Sequence, residues 1–167
     1  FAEHWCRHMP LLPGEYMAWL FYLADPEHCL EKYARFARLP PHSAAYQRFV
    51  AVEHWVHDTV PLTRAFARTC LIAWAQLNGP ARLQWRVQGQ VIDPQQLRCP
   101  ALVVAPTRDR IVPRASAMAI TQRLSSFETL TPETGHIGMV IGRRRHEALW
   151  EPLAQWLHKT GGQATSP

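Results

Sequence analysis

A chain of 167 residues that is 47% hydrophobic carries enough apolar material for a real core, and its formal net charge of +5 permits anionic ligands. No apolar run reaches the roughly 18 residues needed to cross a bilayer, and no recognition module accompanies the scattered positive charge, so neither a transmembrane segment nor a nucleic-acid partner is expected. The four cysteines (Cys6, Cys29, Cys70 and Cys99) form no CxxC, and the first residues lack the basic and apolar regions of a signal peptide, so free thiols and a cytoplasmic location are expected.

In chain order, residues 16–24 form the first expected helix, with Met17, Leu20, Phe21 and Ala24 on one face. Asp25 caps a second helix that opens at Pro26 and turns Leu30, Tyr33, Ala34 and Ala37 inward. Pro40 and Pro41 end it, and Ser43 caps a third helix that runs through Trp55 and Val56. Pro61 opens a fourth with Leu62, Phe66, Cys70, Ala73 and Leu77 along one side, closed by Asn78 and Gly79. Leu83, Trp85 and Val87 alternate up to Gly89, with Val91 beyond it, which predicts a small hairpin. From Cys99 onward the pattern changes. Residues 101–105 are a continuous apolar run, as expected of a parallel strand buried on both faces. Pro113 precedes a helix with Ala117, Ile120 and Leu124 on one side, and Phe127 to Leu130 is a second strand. Leu149, Leu153, Trp156 and Leu157 make the apolar face of a last helix, in which Pro152 forces a late start or a kink.

Alternating strand and helix predicts an α/β layer structure, and two strands are too few to bury each other's edges, so the fold is expected to be incomplete. The expected organisation is a mainly helical region over 1–96, an α/β core over 97–160 and a disordered tail over 161–167.

Two residues carry the chemical argument. Asp109 stands just past the end of a buried parallel strand, where open α/β sheets place ligands. His136 lies between Gly135 and Gly138, after the next strand, and is expected on a flexible loop. Singly, each reads as a loop residue. Together, the intervening segment has room for one helix, one strand and a loop, which returns the histidine beside the aspartate. An imidazole base needs such a carboxylate on its other nitrogen. Of the four aspartates (Asp25, Asp58, Asp93 and Asp109) only Asp109 follows a buried strand. The order nucleophile, acid, histidine is that of the α/β-hydrolases, and no serine or cysteine has the flanking glycines of a nucleophile elbow. The nucleophile is therefore expected upstream of Phe1.

These motifs resemble the poly(3-hydroxyalkanoate) synthase family, the PhaC-type branch of the α/β-hydrolases. The similar stretches are Glu53-His-Trp55-Val-His-Asp58, Val87-Gln-Gly89-Gln-Val-Ile-Asp93, Arg108-Asp109-Arg-Ile-Val-Pro113 and Gly135-His136-Ile-Gly-Met-Val, covering about the last two thirds of the chain. The resemblance implies an α/β-hydrolase fold, here its C-terminal strands and helices plus a mainly helical cap. It implies a cysteine thiolate that attacks an acyl-CoA thioester, with acyl-CoA as substrate, polyester as product, and no metal or bound redox cofactor. His136 would activate that cysteine; Asp109 would orient His136 or assist deprotonation of an incoming 3-hydroxyl. Trp55 and Asp58 would be a structural pair in the cap. Polymer granules as a site of action and a homodimer stay open, as do a serine esterase, thioesterase or depolymerase of the same fold and a non-catalytic granule- or partner-binding member. Three further features are set aside: His4, Cys6 and His8 at alternate positions, His54 and His57 on one helix face, and Arg143, Arg144 and Arg145, whose charge suits the phosphates of coenzyme A but whose commoner reading is a solvated loop.

Overall fold

The computed structural model describes residues 2–161. Contacts divide the chain into two units, one running to Arg82 and one beginning at Leu83.

The first unit opens with α1 (Ala2–His8), and β1 (Leu11–Leu12) pairs antiparallel with β2 (Leu62–Thr63). Between those strands lie α2 (Gly14–Ala24), α3 (Pro26–Phe36) and α4 (Ala44–His57). The caps are those expected: the Asp25 carboxylate accepts from the His28 amide and the Ser43 hydroxyl oxygen from the Tyr46 amide. The fourth helix starts later than expected. Leu62 is in the strand, Thr63 provides the cap, and α5 (Arg64–Ala67), which opens at Arg64 rather than at Pro61, runs into a π-helical stretch, Arg68–Gln76. Cys6, Leu12 and Ala67 form the small core, with Trp5, Met17, Leu62 and Leu71 packed against it.

Several expected inward faces are turned elsewhere. In α2, Met17 is half-buried but Leu20 and Phe21 are exposed, and Trp19 is 65% exposed. In α3, Leu30 is 74% exposed, and Tyr33, Ala34 and Ala37 are exposed too. Tyr33 still reaches α4, donating to Glu53 and meeting Phe49 edge-on, and beside it Lys32, paired with Glu53 at 2.9 Å, and Phe36, stacked on Phe49 at 4.2 Å, face that helix. A stacked aromatic pair and a half-buried ion pair outweigh an aliphatic stripe that nothing in the unit covers. In α5 Ala67 rather than Phe66 is buried, and beyond it, where the π-helical bonding changes the residue spacing, Ile72 is buried while Leu77 is exposed.

In the second unit β3 (Arg86–Val87) and β4 (Gln90–Val91) form the expected hairpin. Both turn residues are left-handed, Gln88 at φ 50° and Gly89 at φ 80°, as a two-residue type I′ turn requires. Asp93 caps a 3₁₀ turn, Pro94–Gln96, before β5 (Leu102–Val104). Then come α6 (Arg114–Met118), a 3₁₀ turn to Gln122, and β6 (Glu128–Leu130), which lies parallel to β5. This is an α/β arrangement of helices and a small parallel sheet. β5 is only half-buried, although Ala105 just beyond it is fully buried, because β6 is its one hydrogen-bonded neighbour among the described residues.

After β6 come α7 (His136–Ile141), a π-helical turn over His146–Trp150, and α8 (Glu151–Gly161). Pro152 is the second residue of α8, one residue past the π turn. It lacks an N–H and would crowd the carbonyl four residues back, and a wider turn relieves that clash. Leu149 is buried and Leu153 and Trp156 are half-buried, but Leu157 is exposed. The Glu128 carboxylate accepts from Trp156 and Lys159 and ties α8 to β6. The expected tail lies outside the described residues except for Gly161, the last residue of α8. No helix among the described residues is long and apolar enough to cross a membrane.

Candidate active site

The parallel register brings Asp109 and His136 together. Each β5 residue meets one 26 positions further on: Leu102 with Glu128, Val103 with Thr129, Val104 with Leu130. The chains stay zipped past the strands, the amides of Ala105, Thr107 and Arg108 donating to the carbonyls of Leu130, Pro132 and Thr134. Asp109 therefore leaves this ladder beside Gly135, and His136 is the next residue. Nδ1 of the histidine lies 2.8 Å from Oδ2 of the aspartate.

The other carboxylate oxygen is also engaged. Oδ1 of Asp109 accepts from the amides of Ile111 and Val112, each at 2.9 Å, closing the turn that leads to Pro113. The Asp109 side chain is only 3% exposed. Burial pushes its carboxyl up, but the Val112 amide, the His136 hydrogen bond, the Ile111 amide and the His136 charge together hold it below the ordinary value. An ionised carboxylate only accepts, so Nδ1 of His136 carries the hydrogen of that bond. Nε2 has no partner among the described residues, and the ring is 36% exposed. The arrangement is a base with one nitrogen anchored and the other available.

One expectation about this segment is corrected. His136 is not on a flexible loop; it is the first residue of α7, with Gly135 as the N-cap. The Gly135 carbonyl accepts from the Met139 amide, which starts the helix at the histidine. No left-handed φ occurs at Gly135 or Gly138, and a Cβ at Gly135 would make an ordinary contact with the Arg108 carbonyl at 3.5 Å. Gly142 is different, since a Cβ there would run into the Gly138 carbonyl. The Trp150 indole donates to the Val140 carbonyl and ties α7 to the π turn that precedes α8.

The amides of Ile111 and Val112 are contributors that the sequence reading missed; an aspartate two and three residues before them is the usual signal of such a turn. Thr134, next to the site, has a buried hydroxyl with no hydrogen-bond partner among the described residues. Of the three arginines, Arg144 pairs with Glu147 at 2.9 Å and Arg145 donates to the Gly142 carbonyl. His4, Cys6 and His8 lie on a helix rather than a strand, with Cys6 in the core and the His8 ring bonded to the His4 carbonyl. Among the described residues no group of three or more His, Cys, Asp or Glu is gathered as metal ligands would be. Trp55 is exposed and Asp58 ends α4. His57, the last residue of α4, is exposed, and its Nε2 lies 3.1 Å from the Tyr22 hydroxyl, which in turn lies 3.0 Å from that of Tyr33.

The chain is similar to two curated proteins. It is 26% identical over 148 residues to the poly(3-hydroxyalkanoate) polymerase subunit PhaC of Haloferax mediterranei, and equally identical over the same length to that of Haloarcula marismortui. The match takes in 87% of this chain but only 30% and 31% of those proteins, so the chain spans less than a third of the length of the curated relatives it matches. No protein-family model matches the chain, and no solved structure does.

Proposed function

We propose that this chain is the acid–base part of a PhaC-like acyltransferase that moves 3-hydroxyacyl groups from coenzyme A thioesters onto a growing polyester. The observation that carries the proposal is the Asp109–His136 pair, 2.8 Å apart at the C-terminal end of two parallel strands, with Nε2 unpartnered among the described residues. The similarity to PhaC polymerase subunits supports assigning that pair to thioester chemistry.

In this reading the nucleophile is a cysteine outside these 167 residues. His136 takes its proton at Nε2, the thiolate sulfur bonds to the thioester carbonyl carbon, and the bond to the coenzyme A sulfur breaks. The proton then leaves with the coenzyme A thiol. In elongation the oxygen of a 3-hydroxyl attacks the enzyme-bound thioester, its proton passes to His136, and the cysteine sulfur departs as thiolate. Asp109 fixes the ring and balances its charge. Its burial and the engagement of both its oxygens favour this role over direct contact with an incoming hydroxyl. β5 and β6 are then the C-terminal strands of an α/β-hydrolase sheet whose other strands lie elsewhere in the protein, in keeping with the half-buried state of β5.

The test is to express this chain together with its nucleophile-bearing segment and supply a 3-hydroxyacyl-CoA. Release of coenzyme A with polymer formation, abolished when the elbow cysteine is replaced by alanine, is expected. Release of free hydroxy acid from a serine elbow would make the protein a hydrolase. Absence of both, in a folded protein, would leave a binding function.

A further inference from the structure

We propose that a pocket between α2 and the end of α4 binds a small organic cation, an alkylated ammonium ion. The pocket lies wholly in the first unit, and its chemistry is independent of what Asp109 and His136 do.

The two segments come close at two places. At one, Gly14 lies so near Thr59 that a Cβ there would run into the threonine side chain. At the other, the Tyr22 hydroxyl lies 3.1 Å from Nε2 of His57 and 3.0 Å from the Tyr33 hydroxyl, contacts that position the Tyr22 ring. Along α2 these two places are separated by about two turns, roughly 12 Å. Glu15, Ala18, Trp19 and Tyr22, spaced by three and four, share one face of the helix over that length. Ala18 in the middle is too short to fill the gap. What remains is a cavity of about 390 Å³, half open to solvent and lined by Glu15, Ala18, Trp19, Tyr22, His57 and Thr59.

The lining selects by charge. It contains no lysine or arginine, and Glu15 has no ion-pair partner among the described residues. α4, a helix of 14 residues, ends at His57, and the partial negative charge of a helix end favours cations. Glu15 stands in the first turn of α2, where its full charge outweighs the partial positive charge of that helix end. The rings of Trp19 and Tyr22, with centroids 6.4 Å apart and planes inclined at 60°, make a corner, and aromatic faces attract cations. Lys32 Nζ lies 5.9 Å from the Tyr22 centroid, but its charge is already balanced by Glu53 at 2.9 Å.

A metal ion does not suit this lining. Hard cations take about six or more oxygen ligands, whereas the pocket offers one carboxylate in mostly apolar surroundings. An anion would be repelled by Glu15. An alkylated ammonium ion matches both parts of the site: its methyl and methylene groups lie against Ala18, Trp19 and Tyr22, and its charge meets Glu15, the two ring faces and the end of α4. Because the pocket is half open, water still reaches both charges and each contact is weak, so binding falls in the millimolar range.

The test is titration of the ¹⁵N-labelled full chain with choline in sodium phosphate buffer. The Trp19 indole N–H is identified by its absence from Trp19→Leu. Choline is expected to shift that resonance saturably at millimolar concentration, and dimethylbutanol, its uncharged carbon analogue, to bind roughly tenfold more weakly. Glu15→Gln, read on the same resonance, and Trp19→Leu, read by saturation transfer to the choline methyl protons, should each weaken binding by roughly three- to tenfold. Both side chains are exposed, so neither substitution disturbs the core. Equal binding of the uncharged alcohol would overturn the proposal, since the pocket would then recognise apolar shape alone. So would the absence of a saturable shift with choline, or an unchanged affinity in either variant.

Discussion

Asp109 places its two oxygens in two directions: Oδ1 closes the turn into Pro113 and Oδ2 meets His136. The two contributions separate by substitution. Asp109→Ala removes both and should cost the second unit about 2–3 kcal/mol, read as a lower urea midpoint. Asp109→Asn can keep the turn while placing an amide group before Nδ1, which favours the wrong ring tautomer, so it should lose activity with a smaller loss of stability. The pH dependence follows from the lowered carboxyl. A group held below its ordinary 3.8 contributes stability that is fully present above that value and is lost as pH falls through the folded value. Acid titration of the folded chain followed by circular dichroism should show this loss, and Asp109→Asn should remove that part of the slope. The residue pair was legible in the sequence because an aspartate after a buried strand and a histidine one strand later have few ways to avoid each other. The contacts of Tyr22, Tyr33 and His57 were not, since they depend on which faces of three helices meet.

Among the elements, α7 carries the account, because it begins at the base. Its glycines look alike in sequence but differ in space. A Cβ at Gly138 meets nothing within 4 Å, whereas one at Gly142 would collide with the Gly138 carbonyl. Gly138→Ala should thus leave stability unchanged or raise it by roughly 0.5–1 kcal/mol, as alanine favours a helix interior. Gly142→Ala should lower it by about 1–3 kcal/mol. Thermal unfolding of the two variants side by side gives the contrast; equal effects would mean that α7 does not end as described. Caps and turns were readable before the fold, because the Asp25 and Ser43 side chains accept from amides three residues on and the Gln88-Gly89 turn is set by its own two residues. Helix faces and the π-helical stretches were not, because packing partners decide them.

At the scale of the whole molecule, β5 has one hydrogen-bonded neighbour among the described residues, many apolar side chains are exposed, and the chain matches less than a third of its curated relatives. By itself the 167-residue chain should not turn over acyl-CoA thioesters. Cys6, the cysteine most deeply buried, sits in the core beside Leu12 and Ala67, and a buried thiol in apolar surroundings is inert. Turnover by the purified chain that disappears in Cys6→Ala would show that thiol to be a nucleophile after all.

The most direct test of the Asp109–His136 assignment is made on the protein that carries the nucleophile, loaded with a labelled 3-hydroxyacyl group and then given fresh 3-hydroxyacyl-CoA. Elongation requires a proton to leave a poorly acidic hydroxyl, whereas a cysteine is already a few per cent thiolate near neutral pH and depends less on its base. His136→Gln should therefore still form some labelled acyl-enzyme, while chain growth falls by roughly 10²–10⁴-fold. Chain growth at a near-normal rate in a folded His136→Gln protein would mean that the proton goes to another residue, and the assignment of this pair would fail.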